Sequence, residues 1–365
     1  GGTSVGTSRI AALDVARAIA LIGVVVMNYI GSMWIPTWGG GFADRLFDPF
    51  VGVLSTRFAA TFVLVAGIGV SLMTASARAT DDRAAISRMR WRLARRGVLL
   101  YVVGFFLNFA WPGTILFFYG AYFLIAVTLI RLSDRVLVGV GASSAVIATG
   151  VATWSNWKAS RGEYVSWLNT DPVSSLQDLV VRTFFDYTHP VFPWLAFLCA
   201  GMIIGRHLGT LHSWRKRAFA IAFVVTALVY GGVSLLDRFD SRTGVIMYSL
   251  TSAQPYGRGL VYVVTTLGIA LMAFLTISWL AEKYSSASLV VALQRTGQLT
   301  LSLYLLHVLV YCAFVNWFGW IGGHQLSTAI WFAVAFWVAA VAIGSWWHHR
   351  VGRGPAEVIY RSFGG

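Results

Sequence analysis

The chain has 365 residues, 57% of them hydrophobic and only 12% charged, with a mean hydropathy of +0.70. An ordinary soluble domain carries about 25% charged residues, so this composition excludes a water-solvated globule and points to a bilayer. The net charge of +14 does not indicate nucleic acid, because the basic residues are dispersed between long apolar runs and do not form one polar surface.

A helix needs about 20 apolar residues to cross the hydrocarbon, and ten runs meet or approach that length. In chain order they are Ile10 to Met33, Val53 to Ser76, Val98 to Trp111, Thr114 to Ile130, Val136 to Trp154, Val191 to Gly205, Ala218 to Leu236, Gly259 to Leu280, Leu299 to Phe318 and Ser327 to Trp347. The third and sixth are short. The first lacks a small-residue cleavage site and is followed by many similar segments, so it is predicted to be a retained helix, not a signal peptide. The expected fold is all-α, a polytopic transmembrane bundle of about ten helices forming one integral membrane domain over residues 1–365.

Orientation follows from the basic residues. With a cytoplasmic N-terminus, the inner side holds 20 of the 28 Lys and Arg, including seven arginines between Arg78 and Arg96, against six acids that include Asp81. The inner side then nets +14 and the outer side zero, as the positive-inside rule requires, with both termini cytoplasmic. Seven of the eight prolines fall outside, and the longest outer connections are Trp34 to Gly52, Ser155 to His189 and Asp237 to Arg258. Long loops carry function more often than short ones. Cys199 and Cys312 both sit in apolar runs, which leaves neither a disulfide framework nor a Cys-based metal site.

Polar residues inside a span are costly and are functional candidates by default. In the first helix Asp14 and Arg17 stand three apart and can pair, and Asn28 lies eleven residues further on, near the same face. Asp14 and Arg17 could equally serve as interfacial anchors. In the ninth run, Ser302, Tyr304 and His307 form a second group, with Tyr304 and His307 three apart on one face. A lone intramembrane His can also be no more than an interhelical hydrogen bond. Arg182, Asp186, Tyr187 and His189 form a third group just before Pro190 and Pro193, where Asp186 could orient His189 as a general base. Solvated loop charges would look the same. Arg258 closes the last long outer connection and joins the candidate substrate contacts. In the inner arginine loop, Arg90, Arg92, Arg95 and Arg96 could hold a phosphate-bearing donor, since guanidinium forks match phosphate geometry, or could simply fix topology on anionic lipid. No Walker A, dinucleotide, HExxH or GxSxG element occurs.

Five segments carry a family resemblance in the same order: RIAALDVARAIALIGVVVMNY, RFAATFVLVAGIGVSLM, RRGVLLYVVGFFLNFAWPGTILFFYGAYFLIA, HPVFPWLAFLCAGMIIGR and GQLTLSLYLLHVLV. Nearly the whole chain resembles the YeiB-like membrane proteins and the heparan-alpha-glucosaminide N-acetyltransferases of the wider transmembrane acyltransferase superfamily. Asp14, Arg17 and Asn28 match the first-helix pattern, and His307 matches the His closing the late YLLH element. The acyltransferase-3 branch has a catalytic His where this chain has Asn28, and Asn cannot act as a base. Heparan-type enzymes place their catalytic His in the first outer loop, but Tyr29 to Gly52 contains none, which leaves His307 and His189 as substitute bases.

The resemblance implies an acyl-CoA-dependent acyltransferase of the cell membrane, with acyl-CoA as co-substrate and no tightly bound cofactor or metal. Its catalytic group would be His307, His189 and Asn28, with Asp14, Arg17, Tyr304, Asp186 and Arg258 on substrate and Arg90, Arg92, Arg95 and Arg96 on the donor phosphates. Expected partners are membrane lipid, acyl-CoA, an envelope glycan or glycolipid acceptor and, in a homodimer, a second copy of the chain; nucleic acid is not among them. Two readings of other classes stand beside it: a transporter of a lipid or small molecule whose polar residues line a path, and a non-catalytic envelope scaffold.

Overall fold

The computed structural model describes residues 2–36, 40–80, 82–238, 244–323 and 325–365, with side chains from residue 11 onward. Asp81, the side chain of Arg9 and parts of the outer segments at 34–52 and 237–258 lie outside the described residues. Helix accounts for 81% of the chain, and no strand occurs among the described residues. The helices are, in order, α1 Gly2–Met33, α2 Phe42–Phe47, α3 Arg57–Met73, α4 Ala75–Thr80, α5 Arg83–Ala110, α6 Ile115–Leu129, α7 Asp134–Ser160, α8 Leu176–Phe184, α9 Val191–Arg206, α10 Leu211–Arg238, α11 Val245–Thr251, α12 Leu260–Lys283, α13 Ser288–Gly297, α14 Thr300–Tyr311, α15 Leu326–Arg350 and α16 Pro355–Gly364.

Each of the ten apolar runs coincides with one of these helices. Seven helical stretches are long and apolar enough to cross a membrane, and α3, α6 and α9 are shorter apolar helices. The third run, short as an apolar stretch, lies in a long helix. Its helix, α5, begins at Arg83, fifteen residues before the apolar stretch, so most of the expected arginine loop is helix. The physical reason is local: Asp82 caps the helix by accepting from the Ala84 amide at 2.8 Å, and the Ala, Arg, Met and Leu residues that follow are strong helix formers whatever their hydropathy.

The chain folds as two compact units, residues 1–65 with 273–363 and 365, and residues 66–272 with 364. In the first, α1 packs on α13, α14 and α15. A small core of Ala12, Val15 and Ala281, flanked by Ile19, Ile277, Val290 and Leu293, joins α1 to α12 and α13. Backbones come close here because Gly297 faces the Asp14 carbonyl, with which any Cβ would collide. In the second unit α5 and α6 form an antiparallel hairpin whose glycines reciprocate: a Cβ on Gly104 would meet the Phe117 backbone, and one on Gly120 the Tyr101 backbone. α7 lies along α9, and Arg206 at the end of α9 donates to the Leu132 carbonyl and to Asp134, both at 2.7 Å, which fixes the start of α7.

Candidate functional site

In the first unit, α1 and α14 bring together two of the polar residues picked out from the sequence. Asn28 Nδ2 lies 3.2 Å from His307 Nε2, although the two are 279 residues apart in the chain. The other ring nitrogen, Nδ1, bonds the Tyr304 carbonyl oxygen. A carbonyl only accepts, so Nδ1 carries the proton, and Nε2 is left with a lone pair that accepts from the Asn28 amide. His307 therefore stands as a neutral imidazole with its basic nitrogen facing α1. It is fully buried, and the Tyr304 ring lies 4.8 Å away, centroid to centroid.

Tyr29, which the sequence reading passed over, fixes the same helix by donating to the His307 carbonyl at 2.8 Å, and its ring packs on Phe332 of α15 at 4.7 Å. Tyr311 likewise donates to the Ser32 carbonyl at 3.2 Å. Directly after α14 the backbone continues as a π-helix over Cys312–Trp317, an irregularity that recurs next to functional residues. Ser302 does not join His307. Its hydroxyl and amide, with the Leu301 amide, bond the carboxylate of Glu357 on α16, which caps α14 from outside the helix.

Asp14 and Arg17 pair at 3.1 Å, with Arg17 one-third exposed and Asp14 buried. The second oxygen of Asp14 accepts from Gln298 at 3.0 Å, and Gln298 in turn bonds His348 at 2.7 Å. Eleven helical residues separate Arg17 from Asn28, a rise of about 16 Å, so these are two polar clusters along α1 and not one.

The second unit holds the third group. Arg182 is buried, bonds Thr170 and Asp171, and lies 4.1 Å over the Tyr187 ring. The expected pairing of Asp186 with His189 is not made: Asp186 Oδ2 instead accepts from the Thr170 amide at 3.0 Å and hydroxyl at 2.7 Å. His189 sits against Trp194 at 4.6 Å and Phe118 at 6.0 Å. Its Nδ1 is buried with no hydrogen-bond partner among the described residues. Burial in this aromatic box, with the Arg258 cation nearby, pulls its pKa down to about 3. Arg258 grips the Phe185 and Tyr187 carbonyls with its two terminal nitrogens and is itself in the left-handed backbone region.

Beside this loop lies a cavity of about 370 Å³ whose lining includes Asn156, Tyr164, Asp186, Tyr256 and Arg258. Two of the residues expected to contact substrate, Asp186 and Arg258, thus share one chamber. Asn156 and Tyr256 were not recognisable beforehand, because nothing in the local sequence distinguishes them from interfacial residues. Of the four expected phosphate-binding arginines, Arg92, Arg95 and Arg96 share one face of α5 by their spacing. Arg90 points elsewhere and donates to the Val127 carbonyl at 3.2 Å, while Arg96 contacts the Met73 sulfur at 3.3 Å.

Residues 9–237, well over half the chain, match the family model described as heparan-alpha-glucosaminide N-acetyltransferase, catalytic. The chain belongs to this family. As a member of the heparan-alpha-glucosaminide N-acetyltransferase family it is a membrane protein of acyltransferase-like type. Residues 204–364 match a second model, described as a protein of unknown function (DUF418). No curated protein matches the chain. Asn28 and His189 fall in the acetyltransferase match and His307 in the second, so the 3.2 Å contact joins residues from both matched regions.

Proposed function

We propose that the protein is a membrane-embedded acyltransferase that moves an acyl group from cytosolic acyl-CoA to a hydroxyl or amine of an envelope glycan or glycolipid across the plasma membrane. The observation that carries this reading is the tautomer of His307, whose unprotonated Nε2 faces the amide of Asn28. His307 takes the proton of the acceptor nucleophile on Nε2, whose lone pair is freed as the Asn28 amide turns from it toward the acyl carbonyl oxygen. The acceptor heteroatom bonds the acyl carbon, the carbon–sulfur bond breaks, and the proton passes to the departing CoA thiolate. Asn28 Nδ2 donates to the carbonyl oxygen as charge develops on it, the role a side-chain amide plays in an oxyanion hole.

Arg92, Arg95 and Arg96 face one way from α5 and suit the nucleotide phosphates of the donor; Asp14, Arg17 and Tyr304 are assigned to the donor path or acyl group, and Asp186 and Arg258 to the acceptor. His189 Nδ1 has no hydrogen-bond partner among the described residues to orient the ring, so His189 is assigned no base function. The distribution of basic residues supports cytoplasmic termini and a cytosolic donor.

The test is acyl transfer by the full chain in proteoliposomes, with labelled acetyl-CoA on one side and isolated envelope glycolipid on the other. Loss of a general base typically costs 10²- to 10⁴-fold, so His307→Ala is expected to lose about that much in kcat while His189→Phe keeps most of its rate. Full turnover in His307→Ala overturns this assignment. No transfer by the wild-type protein, together with no thermal stabilisation by coenzyme A, overturns the acyltransferase reading itself.

A further inference from the structure

Helix α7 turns a row of small residues, Ala148, Ala152, Ser155, Asn156 and Ala159, into the chamber of about 370 Å³ in the second unit. Their spacing of three and four puts them on one face of the helix, and their small side chains leave the room that the chamber occupies. Phe185, Phe192 and Tyr256 line the same space. Tyr164 lines it too while largely exposed, and so stands at its mouth. The volume is near the lower end of the roughly 300–1,000 Å³ range of ligand pockets, which suits one small ring and not an extended chain.

The polar groups of the lining are partly spoken for, and what is left over defines the occupant. Asp186 Oδ2 accepts from the Thr170 amide and hydroxyl, and Oδ1 makes no hydrogen bond among the described residues. Asn156 gives its amide nitrogen to Ser249 at 3.0 Å, which leaves its carbonyl oxygen as an acceptor. Asn169 accepts from the Asp171 amide at 3.4 Å and keeps its amide nitrogen as a donor. Arg258 is already forked onto the Phe185 and Tyr187 carbonyls, and its charge is opposed by Asp186. A partner rich in hydroxyl donors satisfies the two open acceptors. A phosphate, sulfate or carboxylate would bring negative charge to the open oxygen of Asp186, and a hydrocarbon chain would bury that carboxylate without a bond. The aromatic walls suit the C–H face of a ring.

We propose that this one chamber holds an uncharged pyranose, the end residue of a glycan whose chain leaves past Tyr164, and that Asp186 turns acidic and sulfated sugars away. Asp186 Oδ1 and Asn156 Oδ1 accept from the ring hydroxyls, Asn169 Nδ2 donates to one, and Phe185 and Tyr256 meet the apolar face. The inference rests on the acyltransferase reading only in giving this residue the role of acceptor; the binding itself stands apart from it.

The experiment is calorimetric titration of the full chain in lipid nanodiscs, where no sugar-based detergent competes, with methyl glucoside, free glucose, glucuronate and glucose 6-sulfate. Methyl glucoside, blocked at the anomeric carbon as a glycan end is, should bind with a Kd of about 1 mM, and the two anions about tenfold more weakly or worse. Asp186→Asn should bring glucuronate to within about threefold of methyl glucoside. Ala152→Phe should fill the chamber and abolish binding of all four; if that variant does not fold, Asn156→Ala, which adds no bulk, should weaken methyl glucoside about fivefold. Anions binding as tightly as methyl glucoside, no sugar binding at all, or binding untouched by the chamber variants would each overturn the proposal. Free glucose binding tenfold more tightly than methyl glucoside would mean a free-sugar site and overturn it as well. The expected binding without acyl transfer would remove only the acyltransferase reading. Transfer to a glycolipid at full rate in the chamber variants, with no sugar binding, would remove only this one.

Discussion

Glu357→Ala tests how the helix that carries His307 is held. The first amides of any helix lack partners within it, and Leu299, at the N-cap of α14, supplies no side-chain bond. Glu357 fills that role from α16, accepting from the Leu301 amide at 2.7 Å, the Ser302 amide at 3.0 Å and the Ser302 hydroxyl. Losing a cap costs about 1 kcal/mol, and removing a negative charge from a helix N-terminus adds about 0.3–1 kcal/mol. The carboxylate is half-buried, so water replaces its bonds only in part, and a total near 2 kcal/mol is expected. Glu357→Gln keeps an acceptor and should lose roughly half as much. Hydrogen exchange is the sensitive assay: if the cap controls local opening, the Leu301 and Ser302 amides should exchange about thirtyfold faster in Glu357→Ala, the factor equivalent to 2 kcal/mol. Unchanged protection at these two amides would refute the reasoning, whatever happened to the overall melting temperature.

Further perturbations bear on other contacts. Gly297→Ala pushes a methyl group into the Asp14 carbonyl and should cost more than about 3 kcal/mol, read as loss of monodisperse protein on size-exclusion chromatography. Arg258→Lys cannot fork between the Phe185 and Tyr187 carbonyls, and a loss of about 1–2 kcal/mol in thermal stability is expected. His189 has a pKa lowered to about 3 in the folded protein, against 6.5 for an ordinary histidine. Folding stability is therefore fully present above about pH 6.5 and declines as pH falls from there toward 3, because the unfolded chain takes up the proton first. At pH 5 the loss should be about 1–2 kcal/mol, discounted for the partial exposure of the ring, and His189→Phe should flatten that part of a melting-temperature profile.

Hydropathy alone located the seven helical stretches long enough to cross a membrane and the three shorter apolar ones, since a span must be apolar over most of its length and loops need not be. The same criterion concealed the first half of α5, where arginines lower hydropathy but favour helix, and it passed over α13 and α16, which are short and half polar. Asn28 and His307 were each conspicuous as polar residues in oily segments. Their contact was not, because pairing across 279 residues depends on which helices pack, and one sequence does not encode that in any local pattern. The spacing of Asp186 and His189 suggested a pair, but the turn through Tyr187, whose φ is +72°, sends the carboxylate toward Thr170 instead. Asp186 and Arg258 each stood out in an outer connection, but the chamber they share forms only where Phe185, Asp186 and Phe192 meet Tyr256, Gly257 and α7, which lie far apart along the chain.

The unbroken course of α5 has a consequence for depth. Twenty-eight residues rise about 42 Å, whereas the hydrocarbon is about 30 Å thick, so an upright α5 overshoots the slab by about 12 Å. If the Ala110 end is flush with one boundary, Arg83 and Arg88 stand clear of the opposite boundary, Arg90 lies at it, and Arg92, Arg95 and Arg96 start roughly 3 to 9 Å beneath it. Long guanidinium stems from that depth reach up to the headgroups and draw water and anions down with them. In that upright placement the headgroups on that side are drawn inward around these arginines, closer to the middle of the protein than a flat membrane would place them.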